Sequence, residues 1–194
     1  MRNTRSIGIC TVFAVLLLTF VSRAQSVDNM QWGAPVEGLQ MSISRIHDDK
    51  ATVPEFEVVL RNVEDKDTTL NLGIMLANGK AQQPSNISFI LTDRFGKTRT
   101  AAFASVFAVA GRVDDYVVPL RAGSAYTLRL SSKHFLLTID NAFIAPRLLS
   151  SGEYTITAQF VGGGAKATNL DTPGMKLMNY WIGTVRSNVL KVDK

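Results

Sequence analysis

The chain has 194 residues, 46% hydrophobic and 19% charged, with a formal net charge of +5, one Cys and two His. That length favours one domain, or one enlarged domain, over two. The composition excludes disordered, collagen-like and low-complexity chains.

Residues 1–24 read as a secretory signal peptide. Arg2 and Arg5 form a positive start, an apolar stretch runs from Ile7 to Val21, and Ser22-Arg23-Ala24 places small residues before a cut at Ala24/Gln25. The apolar stretch is about 15 residues, short of the roughly 20 that cross a bilayer core. The expectation is therefore a secreted or periplasmic protein with no transmembrane anchor after cleavage. Cys10 lies near the start of that stretch, the wrong end for lipidation. Cleavage removes Arg2, Arg5 and Arg23, leaving 18 basic against 16 acidic residues. Nucleic-acid binding thereby loses its electrostatic motive. The only Cys leaves too, so no intramolecular disulfide is expected. About 170 residues bury enough surface to fold without one.

Residues 25–35 form a lead-in, and residues 36–194 read as a single β domain. Apolar side chains recur with period two through Phe56, Val58 and Leu60, then Ile87, Phe89 and Leu91. The same holds for Tyr126, Leu128 and Leu130, and for Tyr154, Ile156, Ala158 and Phe160. Polar residues between them mark half-buried strands of antiparallel sheets. Turn chemistry separates them at Glu64–Asp67, Asn78-Gly79, Asp93–Gly96, Arg121–Ser124 and Ser150–Gly152. Ala101–Ala110 fits a short helix through Phe103, Phe107 and Ala110, or a strand through Phe103, Ser105, Phe107 and Val109; the strand is preferred. Gly162 to Gly174 reads as an irregular excursion. Near the end, Trp181, Gly183 and Val185 share one parity and Leu190 and Val192 the other. Both sets face the core only if a bulge sits at Ser187-Asn188.

Leu148–Ile156, with a turn, Gly152 and Tyr154 leading an alternating strand, resembles the start of the sixth strand of immunoglobulin-like sandwiches, where the tyrosine hydroxyl bonds upstream backbone. Phe56–Val63 looks like their early core strand. Val117–Leu120 through Gly123 and Tyr126 look like the leucine-x-x-Gly turn and following strand of such domains. The order is similar to bacterial immunoglobulin-like modules, loosely including the intracellular proteinase inhibitor family, over roughly residues 36–192. The resemblance implies an all-β, immunoglobulin-like antiparallel sandwich enlarged by loop insertions. Tyr154, bonding backbone near Leu148 or Leu149, and a buried Trp181 would be structural.

Catalytic signals are sparse. The chain lacks G-x-S-x-G and S-x-x-K, the mature part lacks Cys, and His47 and His134 read as surface or turn residues. Zinc and calcium patterns are missing, so no metal or cofactor is expected. An acid pair from distant strands, as in glycoside hydrolysis, keeps a hydrolase as an alternative. Asn86-Ile87-Ser88 matches a glycosylation sequon. The candidate binding residues are Arg112, Asp114, Asp115 and Tyr116, read as a surface loop between apolar segments, together with Trp32. The rival reading of that loop is a charged connection whose Arg and Asp satisfy one another; Trp32 either caps the core or lies exposed. The function expected is a secreted, non-enzymatic module recognising a protein or surface glycan, with a proteinase inhibitor as the other alternative. Mass spectrometry of protein from its native host should find the amino terminus at Gln25; an intact Met1 in the exported fraction would refute the signal reading.

Overall fold

The computed structural model describes residues 30–47, 53–76, 81–103, 113–139, 142–143, 154–166 and 178–192. The elements below belong to the unit Gln31–Lys194. In chain order they are β1 (Leu39–Ile46), β2 (Glu55–Asn62), β3 (Thr68–Leu76), β4 (Ala81–Gln83), β5 (Ile87–Asp93), β6 (Thr98–Phe103), β7 (Val113–Leu120), β8 (Ala125–Ser131), β9 (Phe135–Ile139), β10 (Ala142–Phe143), β11 (Tyr154–Gly162) and β12 (Gly183–Val192). A 3₁₀ turn, Ser132–His134, joins β8 to β9. The fold is all-β, and the strands pair antiparallel.

Among the described residues the strands form three sheets, in the orders β1-β2-β8, β4-β3-β7 and β10-β9-β6-β5-β11-β12. Register explains the core. Ile43 lies across from Val58 and Val58 across from Leu128, so one row of the first sheet is aliphatic throughout. In the six-stranded sheet Ile156 pairs with both Leu91 and Leu190. Phe56 of the first sheet meets Phe89 of the six-stranded sheet edge to face at 5.2 Å, and Phe89 stacks on Phe135 at 4.2 Å. The first sheet and the six-stranded sheet therefore close on one another in a sandwich-like arrangement. Phe56, Phe89, Phe135 and Phe160 are wholly buried, each contributing about 1.5–3 kcal/mol by leaving water. Ala101–Phe103 falls in β6, as the strand reading has it, while 104–110 lie outside the described residues.

The bulge expected at Ser187-Asn188 is present. Thr157 pairs with Val189 but Gln159 pairs with Arg186, so Ala158 faces both Ser187 and Asn188. Polar side chains repair the interrupted ladder. Ser187 Oγ accepts the Ala158 N–H at 2.8 Å and donates to the Asn188 carbonyl at 2.7 Å. Asn188 then reaches β1. Its Oδ1 accepts the Ile43 N–H at 2.8 Å and its Nδ2 donates to the Ile43 carbonyl at 3.1 Å. One side-chain amide thus acts as a strand residue on the outer edge of β1. The Gly33 N–H bonds Met41 O and Val36 exchanges both backbone bonds with Leu39, so the start of that edge is engaged as well.

A second bulge was not legible beforehand. Asn71 pairs with Val117 and Ile74 with Asp115, so Leu72 and Gly73 together oppose Tyr116. Gly73 takes φ +144°, and a Cβ there would collide with the Gln83 carbonyl and Ser85 N–H. Asn71 Oδ1 accepts the Gly73 N–H at 3.1 Å. Asn86 of the sequon gives its side-chain amide to the Asn71 carbonyl at 2.8 Å, so that group is already part of the fold.

Replacing Asn188 by Ala should lower unfolding free energy by about 1–3 kcal/mol, because both backbone groups of Ile43 lose their partner. Chemical denaturation checks this, with Val189→Ala, on an exposed site, as the control expected to shift little.

Candidate functional site

The described surface holds a cleft of about 380 Å³ where three connections converge. The first is the hairpin Val36–Leu39, whose two central residues, Glu37 (φ +43°) and Gly38 (φ +73°), both lie in the left-handed region. This is the primed geometry that suits a two-residue loop. A Cβ at position 38 would run into the Glu64 side chain, so glycine is required twice over. Glu37 has no such excuse, and an L-residue in that region costs about 1–2 kcal/mol.

The second connection, Val63–Asp67, folds around one side chain. Asn62 is 1% exposed. Its Nδ2 donates to the Lys66 carbonyl at 2.8 Å and the Leu120 carbonyl at 3.3 Å, and its Oδ1 accepts the Glu64 N–H at 3.0 Å. Asp67 Oδ1 accepts the Ala122 N–H at 2.9 Å, tying this turn to the one after β7.

The third is the approach to β12. The Thr69 N–H donates to Asn179 O, and the Trp181 N–H donates to Thr69 O, adding a short parallel bridge to β3. Trp181 is 5% exposed, stacks on Phe160 at 5.6 Å and donates its indole N–H to the Glu37 carbonyl at 2.8 Å. That bond offsets the backbone cost at Glu37. The next residue, Ile182, is turned out to 72% exposure.

The cleft therefore has an indole in its floor, an exposed aliphatic side chain at its lip, and Glu37, Glu64, Lys66 and Asp67 around it. Among the described residues no three His, Cys, Asp or Glu side chains are grouped to hold a metal ion.

The residues singled out from sequence fall elsewhere, Trp181 excepted. Arg112 lies outside the described residues. Asp114, Asp115 and Tyr116 are not on a loop; they belong to β7. Asp115 is 3% exposed. It accepts Asn71 Nδ2 at 2.9 Å, and the Lys166 N–H bonds its two oxygens at 2.9 and 3.1 Å. Asn71 also holds the Gly164 carbonyl at 2.8 Å. A carboxylate enters the interior here because backbone and amide donors replace its water. Tyr116 is buried with its hydroxyl 2.7 Å from that of Tyr126. Burial pushes its phenol above the ordinary value, and the bond to Tyr126 adds to this. Tyr180, lining the cleft, is also raised, first by burial and then by the Asp115 charge.

Trp32 is half-buried with the Arg61 guanidinium 5.8 Å above its ring. Tyr154 is half-buried against the core at the start of β11; Leu148 and Leu149, its expected backbone partners, lie outside the described residues. His134 is exposed, 5.6 Å from the Phe103 ring, with its pKa lowered by burial and then by Lys133. Sequence reasoning passed over Glu37 and Ile182. The Glu37-Gly38 pair beside Val36 and Leu39 is a usable hairpin signal; nothing local marks Ile182.

Asp115→Ala should cost about 1–3 kcal/mol, since it strands the Asn71 amide and the Lys166 N–H. A denaturation midpoint that does not move would return Asp115 to the surface role first expected of it. No protein-family model matches the chain, and no curated protein matches it.

Proposed function

We propose that the protein is an exported, non-enzymatic binding module of immunoglobulin-like architecture that docks a protein partner in the cleft between Glu37 and Ile182. The architecture is supported by β2 and β11, the strands that carry Phe56 and Tyr154, each paired on both sides in two sheets that face across one core. The β4-β3-β7 sheet is an elaboration of that plan. Export rests on the residues 1–24 and on a mature chain without Cys.

The observation that carries the binding reading is Ile182. An aliphatic side chain 72% exposed, backed by a buried indole and ringed by charges, matches the anatomy of a docking site: an apolar anchor inside a polar rim. The rim is held in advance by Asn62 and by the Trp181–Glu37 bond, so little ordering cost remains to be met on association. Three carboxylates against one ammonium favour a partner whose matching rim is basic.

A photo-crosslinking residue at position 182, introduced in the exporting host, should capture one defined partner. The same group at Thr100, exposed on the six-stranded sheet, should not. Glu64→Lys in the position-182 background should reduce the yield severalfold by reversing a rim charge. Equal labelling from both positions, or a yield indifferent to Glu64, would remove this cleft as the docking site.

A further inference from the structure

A second cleft, of about 260 Å³, lies at the opposite end of β11. Tyr154 opens that strand beside this cleft, while Gly162 closes it against Trp181. The two clefts are therefore separated by roughly 25 Å of extended chain.

The walls are built by the β5–β6 hairpin and the ends of β11 and β12. Asp93, Arg94, Phe95 and Gly96 form a tight turn in which the Gly96 N–H bonds Asp93 O at 2.9 Å. Asp93 Oδ1 accepts the N–H groups of Phe95 and Lys97, both at 2.9 Å. That carboxylate is thereby committed to shaping the turn. At its tip Phe95 is 81% exposed, and the Arg94 guanidinium lies 4.8 Å over its ring. Such exposure for an aromatic side chain carries no folding benefit.

Behind the tip, register aligns a polar row. Thr155 pairs with Thr92 on one side and Lys191 on the other, and Thr92 pairs with Thr98 of β6. These side chains share the outer face, opposite Leu91 and Ile156. Neighbouring strands set them about 4.8 Å apart, a spacing close to one hexose ring. Hydroxyls and two cations (Arg94 and Lys191) thus gather at one concave edge, with the exposed Phe95 beside Arg94 at the hairpin tip.

The geometry points to a binding site for an acidic polysaccharide, a chain bearing uronic-acid carboxylates. Arg94 offers the planar fork that pairs with a carboxylate, and Lys191 a second cation. The threonine row supplies donors and acceptors for sugar hydroxyls. Phe95 supplies a flat surface for the apolar face of a sugar ring. A nucleic acid is disfavoured, because its backbone charges call for a longer basic track than two side chains provide. This site stands apart from the protein-docking cleft, so either can fail without the other.

The test is calorimetric titration of the mature protein with polygalacturonate, its fully methyl-esterified form and single-stranded DNA. Polygalacturonate should bind, and the ester and the DNA should bind at least about tenfold more weakly, the scale of one charge-assisted contact. Arg94→Ala and Lys191→Ala should each weaken polygalacturonate binding about tenfold. Thr155→Val, which keeps the shape and removes the hydroxyl, should weaken it severalfold. Thermal midpoints of the two exposed-site variants should stay at the parent value, separating lost binding from lost fold. Failure of polygalacturonate to bind, equal binding of the ester or the DNA, or undiminished binding by the Arg94→Ala/Lys191→Ala double variant overturns the proposal.

Discussion

The indole of Trp181 joins three parts of the chain. Its ring stacks on Phe160 of β11, its backbone N–H bonds Thr69 of β3, and its side-chain N–H bonds the Glu37 carbonyl ahead of β1. Three sheets are thereby referenced to one rigid group. A ring that size buried among three elements leaves little room for error, and its neighbours show it. Gly162 would place a Cβ into the indole, so the strand that carries Phe160 must end on a residue without a side chain. With Trp181 fixed, the chain direction at Ile182 is fixed as well, and the exposed side chain follows.

A related economy governs the seams between sheets. Edges of sheets expose N–H and C=O groups that invite foreign strands. Here the outer edge of β1 is met by one amide side chain, Asn188, and by the backbone of Gly33 and Val36. The bulge that frees Asn188 from its own ladder also reverses the parity of β12, so Val185 and Val192 both reach the core. One inserted residue thus solves a register problem and a seam problem together. The bulge in β3 does comparable work near Asp115. It turns Asn71 inward to hold both the carboxylate and the Gly164 carbonyl, which anchors the chain leaving β11.

The two clefts differ in kind. The one at Ile182 is floored by a buried aromatic and rimmed mainly by carboxylates, and its shape is fixed by side-chain-to-backbone bonds of Asn62 and Trp181. The one at Arg94 is a hairpin tip beside a row of hydroxyls, lined by two cations and by Asp93, whose carboxylate is engaged by backbone N–H groups. They sit at the two ends of β11, a strand flanked on both sides in the six-stranded sheet. A strand held by two neighbours is the stiffest mount available for features that must keep their positions.

Local pattern alone determined β2, β5, β8 and β11. Period-two alternation at Phe56–Leu60, Ile87–Leu91 and Tyr154–Phe160 follows from the geometry of a single pleated chain, and so does the parity break that demanded a bulge at Ser187-Asn188. The turn at Asp93–Gly96 was legible for the same reason, since its residues act on their own backbone. The site was not. Asp114, Asp115 and Tyr116 read as a surface loop because two acids beside an Arg look solvated, and no local rule announces that Asn71 and Lys166 wait to receive Asp115. Ile182 carries no mark of exposure in its neighbours; it faces outward because Trp181 beside it is pinned by Phe160, Thr69 and Glu37. Alternation is a property of one strand, whereas burial of a charge and exposure of an isoleucine are settled by partners far away in sequence, and only the tertiary structure brings those partners together.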